Sequence, residues 1–234
     1  MAAGRMVKVY TARKRKAVPK VRMVMPRTTK SLVKLIKNVS LKTTETKTAY
    51  LQAENVALYH NVECILLNLC TTSAGTTQHT RIGDQVVARY LNIKLWLSQK
   101  SDRSNVMFRI VLYSVPLSNT SATLTYSAGA SGNKMIGTFD TDRVQIIKQK
   151  ILKPLAGDYS EESGAALKEH SRLFSFRLNL KNRKINYGAD AGTTPSLQKN
   201  FIHCAIIPYD AYGTQTTDNI ESFAYQTSFY FKDP

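Results

Sequence analysis

The stretch "QVVARYLNIKLWLSQ", Gln85–Gln99, decides the fold class. Leu91, Ile93, Leu95 and Leu97 alternate with Asn92, Lys94, Trp96 and Ser98. A period of two puts the apolar residues on one face and the polar ones on the other, as in a strand buried on one side. The same alternation returns in "SRLFSFRLNLK" (171–181), where Phe174, Phe176, Leu178 and Leu180 point inward and Ser175, Arg177, Asn179 and Lys181 outward. In "NVMFRIVLYSVPL" (105–117), Phe108, Ile110 and Leu112 share a face opposite Arg109.

Five more runs read as strands: "ENVALYHNVECILLNL" (54–69), "TDRVQIIKQKILKPL" (141–155), "RKINYG" (183–188), "NFIHCAIIPYD" (200–210) and "ESFAYQTSFYFKD" (221–233). The best helical stretch among them, "SEESGAALKEH" (160–170), is short and contains Gly164. Strands separated by turns, and not alternating with helices, predict an antiparallel sandwich or barrel. Eight strands fit a jelly roll. The expected fold class is therefore all-β: a single eight-stranded antiparallel jelly roll (β-sandwich) with an N-terminal basic arm. Long loops at 71–81, 118–140 and 189–199, rich in Ser, Thr, Gly and Ala, read as surface or contact regions. Trp96 and Tyr113, opposite the buried faces, read either as subunit contacts or as side chains packed under a long loop.

The chain has 234 residues, 43% of them hydrophobic, and a net charge of +17. The charge is segregated. Up to Thr44 there are 13 basic residues and no acid. Taking those 13 from 33 leaves 20 basic against 16 acidic residues in the remainder, a net charge of only +4. A nearly neutral body with a cationic arm reads as a folded domain carrying an interaction tail. We expect an arm over 1–47, largely flexible and binding nucleic acid, and a shell-like β domain over 48–234. The arm's binding residues are Arg5, Lys8, Arg13, Lys14, Arg15, Lys16, Lys20, Arg22, Arg27, Lys30, Lys34 and Lys37. Such contacts neutralise phosphates without reading bases. If all 13 charges met single strands, the log–log salt slope would be about −9. Tyr10 adds a base-stacking group. Spacing within the arm predicts a short helix over 30–39, with Ser31 as its cap, Leu32, Leu35 and Ile36 on one stripe, and Lys30, Lys34 and Lys37 on another.

Arg13, Lys14, Arg15 and Lys16 form a compact cluster of the nuclear-localisation type. The N-terminus has no apolar core of a secretory signal, although a transit peptide shares its basic, acid-poor composition. No apolar run approaches the roughly 20 residues of a membrane span. Cys64, Cys70 and Cys204 are odd in number and form no C-x-x-C, so they read as reduced thiols of an intracellular protein.

A catalytic constellation is not expected. His60, His79, His170 and His203 form no metal-ligand spacing, so neither a metal nor a cofactor is predicted. His60 and His203 read as structural residues in strands. The pairs Glu161–Glu162 and Asp140/Asp142 read as solvated surface, and "SAGASGNK" (127–134) as a loop rather than a phosphate cradle.

The basic arm, the turn Arg81-Ile82-Gly83-Asp84 before the 85–99 strand, the run "NVMFRIVLYSV" with Arg109, and the terminal "SFYFKD" occur in this order. In that combination the chain resembles the capsid proteins of circovirus-like viruses, whose small circular single-stranded DNA genomes encode a replication initiator. The resemblance covers the stretch from about Leu58 to the C-terminus, together with the composition of the arm. It implies a self-assembling coat protein in a small icosahedral shell of roughly sixty copies, with the arms turned inward onto single-stranded DNA. It also implies a virion protein that passes through the host nucleus, with import machinery reading the arm, or assembles in the cytoplasm. The arm is less arginine-dense than in circoviruses proper, and coat proteins of satellite and other small RNA viruses share the jelly roll and the basic arm. The alternative is a non-viral nucleic-acid-binding β-domain protein of ribosomal or chromatin-associated type. An enzyme on a jelly-roll scaffold is the third reading.

Overall fold

The structure, a computed structural model, describes residues 29–99, 103, 105–116, 123–129, 132–153, 170–188, 201–210 and 214–233. The chain forms two compact units, Met1–Val39 and Ser40–Pro234. Helix α1, Thr29–Thr43, runs from the end of the first into the start of the second. It is longer than 30–39 at both ends, so Ser31 lies inside its first turn rather than at its cap. No acid stands in the first turn, and Lys42 stands in the last, where a cation meets the negative end of the helix. The Ser40 carbonyl accepts the Thr44 N–H at 2.9 Å and the Thr43 and Thr44 hydroxyls at 3.0 and 2.7 Å, which closes the last turn of the helix.

Eight strands follow: β1 (Thr46–Tyr59), β2 (Cys64–Leu66), β3 (Gln85–Gln99), β4 (Met107–Val115), β5 (Gln145–Leu152), β6 (His170–Asn186), β7 (Phe201–Tyr209) and β8 (Asn219–Lys232). They form two four-stranded sheets, ordered β1-β8-β3-β6 and β2-β7-β4-β5. All six pairings are antiparallel. This is the eight-stranded jelly roll, a sandwich in which each successive strand except β5 after β4 crosses to the other sheet.

Two strand readings change. The run 54–69 is not one strand. It breaks after Tyr59, where Asn61 turns the chain at φ 56° and donates its N–H to the Pro208 carbonyl at 2.9 Å. The chain there passes from the first sheet to the second. Its first half extends back to Thr46 and pairs with β8 from Thr46↔Lys232 onward. The alternating inward residues of that extension are Ala49, Leu51 and Ala53, too small a hydrophobic signal to mark a strand by periodicity. Conversely, 171–181 and 183–188 are one strand. Lys181 and Asn182 take left-handed φ values of 52° and 59°, and the strand resumes beyond them. The number of strands survives because one run splits and two fuse.

The core lies between the sheets. Leu91, Ile93 and Leu95 are fully buried and Leu97 nearly so, packed with Ile110, Leu112, Phe223, Phe229 and Phe231. Along the β5/β6 side, Lys148 and Lys150 lie over the Phe176 and Phe174 rings at 5.4 and 4.9 Å. Their alkyl stems shield the apolar seam while the ammonium groups stay wet.

The outer faces of the two sheets are treated differently. The outer face of β2-β7-β4-β5 is covered. Val111, Tyr113, Val115, Ala205 and Ile207 pack against Leu124 and Val144, with Tyr126 and Phe139 alongside. Arg109 pins this cover. Its Nη1 donates to the Lys134 and Gly137 carbonyls at 2.5 and 2.8 Å, and its guanidinium sits 4.2 Å from the Phe139 ring centre. Gly137 is required beneath it, since a Cβ there would meet the Tyr126 ring at 2.9 Å. Tyr113 is therefore fully buried under a loop, whereas Trp96 is 48% exposed. Among the described residues the outer face of β1-β8-β3-β6 is largely open, with Tyr50, Trp96 and Leu173 exposed.

His60 sits in the turn after β1 rather than in a strand; its Nδ1 accepts the Asp210 N–H at 3.2 Å. His203 does lie in β7, and its Nδ1 accepts the Asn68 N–H at 3.3 Å. All three cysteines are free, and burial pushes the Cys70 and Cys204 thiols up to about 12. Buried thiols of that kind are packing groups, not nucleophiles.

Candidate nucleic-acid interface

Strand alternation fixes what the open face displays. With Phe229 and Phe231 in the core, Tyr230 and Lys232 must point out; with Leu91, Ile93 and Leu95 in the core, Tyr90, Asn92, Lys94 and Trp96 must point out. On β6 the outward set is Leu173, Ser175, Arg177 and Asn179. Register brings these residues together. Tyr90 stands opposite both Tyr230 on β8 and Asn179 on β6, and Asn92 stands opposite Arg177. The Tyr90 and Tyr230 rings stack with centres 4.0 Å apart, and the Arg177 guanidinium lies 4.3 Å from the Tyr90 ring centre. Further along the face, Tyr50 and the His79 ring meet at 5.3 Å. Burial, followed by the neighbouring Tyr90 and Tyr50, pushes the Tyr230 phenol up, so it stays a neutral ring at physiological pH.

A double irregularity shapes one corner of this face. Between the pairs Ala88↔Arg183 and Tyr90↔Asn179, β3 has only Arg89 where β6 has Leu180, Lys181 and Asn182. Such a bulge bends the strand and re-aims its side chains. Lys181 and Asn182 pay for it in left-handed backbone, at about 1 kcal/mol or more for a residue bearing a Cβ. The Asn179 Oδ1 accepts the Lys181 N–H at 2.9 Å, and Arg89 Nη1 donates to Asn182 Oδ1 at 3.0 Å. The result is a cavity of about 310 Å³ lined by Arg89, Tyr90, Arg177, Asn179, Lys181 and Asn182. Three cations, two amides and a phenol line it, and no carboxylate does.

The body's first residues are held on the same face. Lys232, 6% exposed, donates to the Leu41 and Thr44 carbonyls at 2.5 and 2.6 Å.

Of the arm residues expected to bind nucleic acid, Lys30, Lys34 and Lys37 lie in α1, and Lys30 and Lys34 are exposed. Leu32, Leu35, Ile36 and Val39 are exposed too, an apolar stripe beside the lysines. Arg5, Lys8, Arg13, Lys14, Arg15, Lys16, Lys20, Arg22 and Arg27 lie outside the described residues, as does Tyr10. The cavity residues were not among the expected ones. Arg177, Asn179 and Lys181 were visible in sequence as the outward side of a strand, but their partners on β3 and β8 are set by pairing across the sheet.

The turn Arg81-Ile82-Gly83-Asp84 is structural. Arg81 is buried, 4.7 Å from the Tyr187 ring centre, and Nη1 holds the Gly83 carbonyl and Asp84 Oδ1 at 2.7 and 3.0 Å. Among the described residues no group of three His, Cys, Asp or Glu side chains is placed to hold a metal ion. No helix among them is long and apolar enough to cross a membrane.

No family model matches the chain, and no curated protein matches it. Among solved structures it is similar to a chain of Desmodium yellow mottle tymovirus. That similarity has a TM-score of 0.37 and 8% identity, over 100% of this chain and 97% of the other. A likeness of this degree carries no argument about function, which rests on the residues themselves.

Proposed function

We propose that the chain is a viral capsid protein of circovirus-like type. Roughly sixty copies close into a small icosahedral shell. The basic arm faces inward and neutralises a single-stranded DNA genome, and Arg13, Lys14, Arg15 and Lys16 serve nuclear import before assembly. One observation carries this reading: an acid-free segment with 13 cations precedes a jelly roll of net charge only +4. The fold alone would not suffice, since jelly rolls also serve lectins and enzymes. The division of labour is what matters. A neutral body lets copies approach without strong mutual repulsion, while the arm supplies the counterions that a packed polyanion needs.

Electron microscopy of the purified full chain tests the proposal. Uniform closed particles of about 1.6 MDa, from roughly sixty copies of a 26.2 kDa chain, are expected. Monomers or dimers across a wide range of salt and pH would overturn the capsid reading in favour of a free nucleic-acid-binding protein.

A further inference from the structure

We propose that the cavity of Arg89, Tyr90, Arg177, Asn179, Lys181 and Asn182 is a second nucleic-acid site, borne by the folded body and taking one nucleotide of a single strand. Its occupant makes the open face of β1-β8-β3-β6 the genome side of the shell. The proposal rests on the packaging reading and extends it from the arm to the body.

Three independent features point to this chemistry. The first is charge: Arg89, Arg177 and Lys181 converge on about 310 Å³ with no lining carboxylate, so an anion entering meets three cations and no repulsion. Lysines and arginines on an edge strand ordinarily discourage sheet extension, but that role needs charges spread along the edge. Here a bulge gathers them at one point, at the cost of two left-handed residues. The second is the ring system. Tyr90 is held between the Tyr230 ring and the Arg177 guanidinium, so a base stacks on the far face of Tyr230 or on the guanidinium plane, as bases do whatever their sequence. The Asn179 and Asn182 amides add donors and acceptors for base or sugar edges. The third is position. The cavity lies on the sheet face whose Tyr50, Trp96 and Leu173 are exposed among the described residues. Among the described residues, the outer face of the other sheet is covered by the segment that Arg109 holds down.

The test uses the full chain, freed of nucleic acid in high salt, and a single-stranded oligo(dT) probe. Ultraviolet cross-linking followed by peptide mass spectrometry is expected to place thymine adducts on Tyr230. The double variant Arg89→Gln/Lys181→Gln removes two exposed cations and leaves Arg177 on its ring. It is expected to reduce the log–log salt slope of oligo(dT) binding by about 1.4, at roughly 0.7 per phosphate contact. Adducts confined to the arm, together with an unchanged slope, would overturn the cavity site while leaving packaging by the arm intact. No oligo(dT) binding by the unaltered chain would instead overturn the packaging reading itself. A length-matched heparin oligosaccharide separates the remaining source of anions. If the double variant loses heparin and keeps its oligo(dT) slope, the face is an outer glycan-binding surface and the proposal fails.

Discussion

At the scale of single residues, burial sets the acid response. His203 is 3% exposed in β7, beside Tyr113 and Phe201, and burial lowers its pKa to about 4. Its Nδ1 already accepts an N–H, which fits the neutral ring. The unfolded chain takes up the proton near 6.5 and the folded chain only near 4, so the stabilisation is whole above pH 6.5 and is lost as pH falls through that window. Lowering the pH from 7 to 5 is expected to cost about 2 kcal/mol through this group. Urea unfolding at the two pH values should show that loss, and His203→Gln should remove most of it. Equal losses in both proteins would place the acid sensitivity elsewhere. The histidine's lack of ligand partners was readable from spacing; its depth beneath β4 and the loop was not.

At the scale of elements, the β3/β6 bulge sets backbone strain against the nucleotide site proposed there. Lys181 occupies left-handed backbone that glycine adopts without strain. Lys181→Gly is therefore expected to leave stability unchanged or raise it by up to about 1 kcal/mol. The same change should lower the salt slope of single-strand binding by about 0.7. A stability loss beyond about 1 kcal/mol would mean that the lysine side chain serves the fold. The bulge explains why β6 looked like two strands in sequence. Periodicity fails at 181–182 because the backbone inserts extra residues, while hydrogen bonding resumes on the far side.

At the scale of the molecule, the arm and the body divide at a definite place. The body begins at Ser40 as a compact unit, but residues 41–44 supply both carbonyl acceptors of the buried Lys232. Removing residues 1–39 is expected to leave the melting temperature unchanged and to abolish retention of nucleic acid during purification. Removing residues 1–44 takes away both carbonyl acceptors of Lys232 and is expected to cost about 1.5–3 kcal/mol. If the shorter deletion retains nucleic acid at the full-length level, the arm is not the packaging element. If both deletions melt alike, Lys232 is not the fastening.

The amino-acid sequence by itself determined the period-two strands, the antiparallel jelly roll and the separation of charge, because alternation and composition are local properties that survive without partners. Only the tertiary structure decided that Tyr113 is covered and Trp96 is open, that 54–69 crosses between sheets, and that Arg89, Tyr90, Arg177 and Lys181 share one cavity. Those facts depend on which strands lie side by side and in what register. Hydrogen bonds between residues scores of positions apart set that register, and no periodicity along the chain records it.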